Sequence, residues 1–342
     1  MINIRYHIVS ITAVFLALGI GVALGSTFLD RATVEVLDRN ISSAEEGIRE
    51  TDAENDRLQS LVNAAEERDA GLIVLGSDRL LAEQLTDIPV LVLAAPGVGS
   101  DQLDPITAVL ARSGADLRGT LALSDRLRFD GDIDEALAED LELIDPSGPR
   151  LRAEAFDRLL DALALAGQEP DLEVPRPPDG TDEPGASGDP TRPEAGVQPE
   201  IVSILLAREY VALAPGPDLA EGEPILDTQG YRYVVVGAPD PTQADNDILL
   251  SLLPDEDDVA ALPAVVVTVT QDPPPIDEQL VPTIVALARS SEALAERYTT
   301  VDDAETFSGI AAMVFSVADL GAVPAGHYGQ ADGASGVLPP LL

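Results

Sequence analysis

The sequence predicts an α/β protein built on a doubly wound, mostly parallel sheet, preceded by a transmembrane helix and a coiled-coil helix. Three observations carry that expectation. An uncharged run of 22 residues, 8–29, opens the chain; apolar residues at a three-four spacing follow; beyond residue 70, short continuous valine and leucine runs alternate with helical patterns. Each of these periods belongs to a different structural element.

The first element is the membrane anchor, residues 1–30. About 20 apolar residues rising 1.5 Å each cross a bilayer core of roughly 30 Å, so a run of this length spans as a helix. Arg5 and the amino terminus precede the run, while Asp30, Glu35, Asp38 and most acidic residues follow it. The basic side stays in the cytoplasm, which places the bulk of the chain outside as a single-pass envelope protein. A cleavable signal peptide is the alternative, because Ala23-Leu24-Gly25 has the form of a small-x-small processing site. Gly21 and Gly25 also make a small-xxx-small spacing, which lets two spans approach closely.

Residues 31–68 read as a coiled coil. Val34, Leu37, Ile41, Ala44, Ile48, Thr51, Asn55, Leu58, Val62 and Ala65 advance by three and four in turn. The first core position of each heptad is β-branched except for Asn55, the combination that favours a parallel dimer and fixes its register. Ile41, Ile48, Asn55, Leu58 and Val62 are the expected dimerisation residues. A single amphipathic helix lying on its own domain is the alternative, and Gly47 with the small core residues Ala44, Thr51 and Ala65 fits it. Co-anchoring in a membrane raises the effective concentration of two such helices and favours pairing.

The third element is the sheet, whose strands read as short apolar runs buried on both faces. In a first half, residues 69–167, strands are expected at 72–75, 89–94 and 117–123, with helices at 78–85, 101–112, 133–143 and 152–166. In a second half, residues 200–330, helices are expected at 200–208, 243–253, 277–296 and 304–320, and strands at 210–213, 231–236, 264–270 and 298–301. Alternating strands and helices imply a parallel sheet of the Rossmann or flavodoxin-like kind. Between the halves, residues 169–200 hold eight prolines, four glycines and nine acidic residues against two arginines. Such a composition buries too little surface to offset the entropy of ordering, so residues 168–199 are expected to be an extended linker within one sheet. Residues 331–342 form a C-terminal tail.

Charge and composition exclude several functions. The chain carries 61 acidic and 20 basic residues for a net charge of −41, and every basic residue is arginine. That charge repels nucleic acid and anionic headgroups. The absence of cysteine removes disulfides, thiolate metal sites and cysteine nucleophiles. No Ser-His-acid set is credible around the two histidines, His7 and His327, so no catalytic residue is assigned and the protein is expected not to be an enzyme. Gly97-Val98-Gly99-Ser100 sits between a strand and a helix, the context of a phosphate loop. It lacks the third glycine, and Asp101 opposes phosphate charge.

The last third holds the most distinctive residues: Thr300-Val301-Asp302-Asp303, Phe307-Ser308-Gly309, Gly326-His327-Tyr328-Gly329 and Leu338-Pro339-Pro340. These, with the opening residues 4–10, 13–19 and 21–26, resemble the mycobacterial copper transport protein B family over nearly the full length. The resemblance implies a role in copper transport or homeostasis at an envelope membrane, described for the family as the outer membrane. Relatives are also linked to cell separation. A transmembrane barrel needs repeated alternating segments of about ten residues, which these short, uniformly apolar strands do not supply. Cu(I) selects thiolate and thioether ligands, whereas this chain offers only Met1 and Met313. Any copper site would then be of the Cu(II) type, with His327, Asp302 and Asp303 as candidate metal ligands. For His327 the alternative is a histidine hydrogen-bonded within a glycine turn. For Asp302 and Glu305 it is a capping box at the start of the last helix; clustered with Asp303, they suit a hard cation such as calcium. No cofactor is firmly implied; copper is the one that the resemblance suggests. The functional alternative to copper homeostasis is a non-catalytic, dimeric envelope scaffold that recruits a cell-division or cell-wall hydrolase partner.

Overall fold

A computed structural model describes residues 4–169, 198–217, 219–220, 222–255, 259, 261–269 and 281–340. Most of the expected linker, residues 170–197, and residues 277–280 of an expected helix lie outside them. The chain divides into two compact units, Met1–Arg68 and Asp69–Leu342.

The described residues of the first unit are helical throughout. Helix α1 (Ile4–Gly76) runs unbroken for 73 residues, as it can because the first proline in the chain is Pro89. Its segment Ile4–Gly25 is long and apolar enough to cross a membrane, and none of it is buried against protein. Further along, Ile41, Ile48, Leu58 and Val62 are between 48% and 61% exposed, and Asn55 is exposed among them. These heptad residues therefore form an uncovered stripe in the single chain. Pairs Arg49–Glu45 at 3.1 Å and Arg57–Glu54 at 3.4 Å brace the helix surface.

The second unit is a mixed α/β fold around a seven-stranded sheet in the order β3-β2-β1-β4-β5-β6-β7. The strands are β1 (Pro89–Ala94), β2 (Asp116–Leu123), β3 (Val211–Pro215), β4 (Arg232–Gly237), β5 (Ala264–Thr268), β6 (Thr299–Val301) and β7 (His327–Tyr328). All pair in parallel except the edge strand β3, which runs antiparallel to β2. Period-two alternation sends Val90, Val92, Val234, Val236, Val265 and Val267 into one core and Leu91, Leu93, Tyr233, Val235 and Val266 into the other. Helices α2 (Ser100–Arg112) and α9 (Phe307–Ala318) close the first core. The second is closed by α3 (Glu135–Asp140), α4 (Gly148–Gly167), α5 (Glu200–Ala207), α6 (Gln243–Leu250), α7 (Ile284–Ser290) and α8 (Glu292–Arg297). Burying both faces explains why these strands read as continuous apolar runs.

Several expectations need correcting. Residues 72–75 are the last turns of α1 rather than a strand, since a four-residue apolar run fits either period and the running helix supplies its hydrogen bonds. The expected helix at 78–85 is a five-residue π-turn, Ser77–Leu81. The Ser77 hydroxyl bonds back to the Ile73 carbonyl. Among the described residues the first half contributes two strands, not three, because 72–75 is helical, and the second contributes five, not four, because the two residues of β7 also pair into the sheet. The helices expected at 133–143 and 304–320 are confined to α3 and α9, and residues 284–297 form two short helices, with Ser291 capping the second through the Leu294 amide.

Candidate functional site

The distinctive C-terminal residues converge at the carboxyl ends of β6 and β7. The link that sequence reasoning missed is Arg289, in the last turn of α7. Its guanidinium meets the Asp302 carboxylate at 2.6 Å, and the two side chains are only 4% and 5% exposed. The same fork donates through Nε to Thr300 Oγ1 at 2.9 Å and through a terminal nitrogen to the Tyr328 carbonyl at 2.8 Å. A buried ion pair holds only when its remaining donors and acceptors are met. Here the Gln330 and Ala331 amides complete the carboxylate, at 2.7 Å and 3.2–3.3 Å.

His327 joins the network through Thr300. Thr300 Oγ1 accepts from Arg289 and lies 2.9 Å from His327 Nδ1. Arginine can only donate, so Thr300 accepts from Arg289 and keeps its own proton and a second lone pair for the contact with the imidazole. Burial, and then the Arg289 charge, lower the His327 pKa from its ordinary value and favour the neutral ring. Asp303 sits beside Asp302 in the left-handed region at φ 54. Burial, and then the Asp302 charge, push its carboxyl up to about 6.

The glycines of the motif follow from this packing. A Cβ at Gly329, whose φ is +129, would overlap the Asp302 carboxylate, and one at Gly309 would overlap the Asp303 carbonyl. Phe307 lies with its ring edge 2.6 Å from where a Cβ of Gly76 would stand, so the aromatic residue seals the end of α1 against α9. The last helix is capped by Thr306, whose hydroxyl accepts from the Gly309 amide at 3.1 Å. The Asp302–Glu305 capping box is therefore not formed: Asp302 belongs to Arg289.

The structure thus brings His327, Asp302 and Asp303 to one locus, but commits Asp302 to arginine and backbone amides and His327 Nδ1 to a hydroxyl. Among the described residues, no three His, Asp or Glu side chains group as a metal-holding set. The Gly97–Ser100 loop does lie at the switch in strand order, between β1 and its neighbours β2 and β4. There a carboxylate oxygen of Asp101 lies beside Gly99, a charge of the same sign as phosphate.

Comparison with known proteins places this arrangement. The chain is 23% identical, over 354 aligned positions covering 98% of its length and 99% of theirs, to proteins named copper transporter MctB from Mycobacterium bovis and Mycobacterium tuberculosis. A family model described as copper transport outer membrane protein, MctB, matches residues 1–186 and 229–339, which include the apolar helix and every residue of the Arg289 network. The chain belongs to the MctB family of copper transport outer membrane proteins.

Proposed function

We propose that this chain is a membrane-anchored protein of copper transport and homeostasis, with its amino terminus in the cytoplasm and its α/β unit on the far side of the membrane. The observation that carries the reading is the family match across both units, from the apolar helix to the C-terminal network. Basic Arg5 before the span and the acidic excess after it support the orientation. Sheet order, with helices over both faces, supports the doubly wound description.

Two copies pair through the exposed heptad stripe of α1, in parallel, with Asn55 facing Asn55. The full chain in detergent should sediment as a dimer, and Asn55→Ile should change the oligomer size; a monomer for both proteins at high concentration would remove the coil from the reading. The copper role is tested in cells. A deletion strain should grow poorly at raised copper and recover with the wild-type gene, whereas unchanged copper tolerance and copper content would overturn the proposal.

A further inference from the structure

We infer that the cleft between α2 and the β2–β3 edge of the sheet is a binding site for a small apolar amine, whose ammonium meets Asp104 and whose body carries a hydroxyl that pairs with Thr120. The inference does not rest on the copper reading.

The cleft follows from the order of the chain. Helix α2 links β1 to β2 and closes one core, but after β2 the chain passes to the opposite face, where α3, α4 and α5 join the other core. Strand β3 then returns to pair with β2, turning Val211 and Leu213 toward that second core and leaving Ala212 and Ala214 exposed on the α2 side. Thr120 lies on the same side, because it pairs with Val92 and Ala214, and Val92 belongs to the core beneath α2. Small side chains there leave a cavity of about 560 Å³, lined by α2 and by the Pro215-Gly216-Pro217 turn. That turn is pressed onto β2: a Cβ at Gly216 would overlap the Leu117 carbonyl, and one at Gly119, whose φ is +133, the Ala214 carbonyl. The volume is within the roughly 300–1,000 Å³ of small-molecule sites, which are mostly apolar with a few placed polar groups.

Two side chains define its chemistry. Thr120 is only 5% exposed, yet among the described residues no group bonds its hydroxyl, which opens on the cavity. A buried hydroxyl left unpaired is costly, so a ligand that pairs with it gains by doing so. Thr107, by contrast, already donates to the Leu103 carbonyl at 3.0 Å. Asp104 is the one charged residue of the lining and makes no ion pair among the described residues. It attracts an ammonium and repels a carboxylate. Between the two, Leu103, Ala108, Ala122 and Pro217 offer apolar surface to an aromatic or alkyl body.

Tyramine, phenethylamine and hydroxyphenylpropanoate, the acid analogue of tyramine, are the probes. Each would be titrated onto the full-length chain in phosphatidylcholine nanodiscs and read by saturation-transfer NMR, with empty nanodiscs as the blank. Salt at about 0.15 M screens the field of the −41 net charge. Tyramine should bind saturably with a Kd of about 1 mM or tighter, and the acid about tenfold more weakly. Asp104→Asn should remove most of that difference. Thr120→Val, which keeps the shape, should weaken tyramine about fivefold and leave phenethylamine, which lacks the hydroxyl, unchanged. Ala108→Leu, on the partly exposed side of α2, should fill the cavity and abolish saturable binding of both amines without lowering the melting temperature. Equal binding of tyramine and the acid, or undiminished binding in Ala108→Leu, would overturn the site. Equal losses of both amines in Thr120→Val would overturn the hydroxyl contact.

Discussion

Asp302 is the residue around which the C-terminal motif is built, and Arg289 is what permits its burial. Removing one partner of a buried, hydrogen-bonded pair leaves an uncompensated charge, a loss of about 3–5 kcal/mol. Arg289→Met should therefore lower the urea midpoint sharply. Adding Asp302→Asn should recover part of the loss, because the double variant buries no charge; a double variant as unstable as the sum of the singles would show that the two act independently. Asp303 behaves in the opposite sense from a paired acid. Its folded pKa, about 6, lies above the ordinary value near 3.9, so the folded state binds the proton more tightly. Its protonation supports the fold below pH 4, and that support is lost as pH rises from 4 to 6. Asp303→Asn, which suits the left-handed backbone, should raise the melting temperature at pH 7 by about 2 °C and leave it unchanged at pH 4. An equal gain at both values would mean that the charge is not the cause. His327 runs against Asp303: its pKa is lowered in the fold, so falling pH through its ordinary value near 6.5 costs stability that Asp303 restores.

At the scale of elements, β7 exists because a pair of residues between two glycines can be tied down from three sides. The Thr300 amide bonds the Gly326 carbonyl at 2.9 Å, the Asp302 amide the Tyr328 carbonyl at 3.1 Å, and the Gly329 amide the Gly336 carbonyl at 2.9 Å. Gly329→Ala should detach this edge by pushing into the Asp302 carboxylate, costing more than about 2 kcal/mol, whereas Gly131→Ala, which meets nothing within 4 Å, should stay within about 0.5 kcal/mol in the same melting experiment. Comparable losses would mean that the contact with Asp302 is not what requires glycine. A two-residue strand has no periodicity to read, which is why His327 and Tyr328 were legible as a glycine turn and not as a sheet edge. Strands β1, β2, β4 and β5 were legible because burial on both faces leaves an unbroken apolar run bounded by turn residues. Residues 72–75 have the same composition but no breaker before them, and composition alone could not separate strand from helix there. Arg289 carried no mark among 20 arginines; its burial is set by β6 and β7, elements remote in sequence from α7.

At the scale of the whole molecule, the charge and the donor set decide how copper can be met. With no cysteine in the sequence and Met313 fully buried in the core, soft ligation has little to draw on, and Cu(I) favours soft ligands. The acidic residues are numerous, yet the described ones do not converge in threes, so they attract cations as a field rather than as a cage. The full chain should therefore bind Cu(I) more weakly than about 1 µM, and should take up Cu(II) in a way that excess magnesium displaces. His327→Ala should leave both titrations unchanged, because Nδ1 already pairs with Thr300 Oγ1 at 2.9 Å and the neighbouring Asp302 carboxylate is held by Arg289. Stoichiometric binding tighter than that bound, lost in His327→Ala, would show that the C-terminal network opens to hold the metal itself. The expected result would place copper recognition outside the isolated α/β unit, and would make the proposed pairing through α1 the first property to test in looking for the transport phenotype.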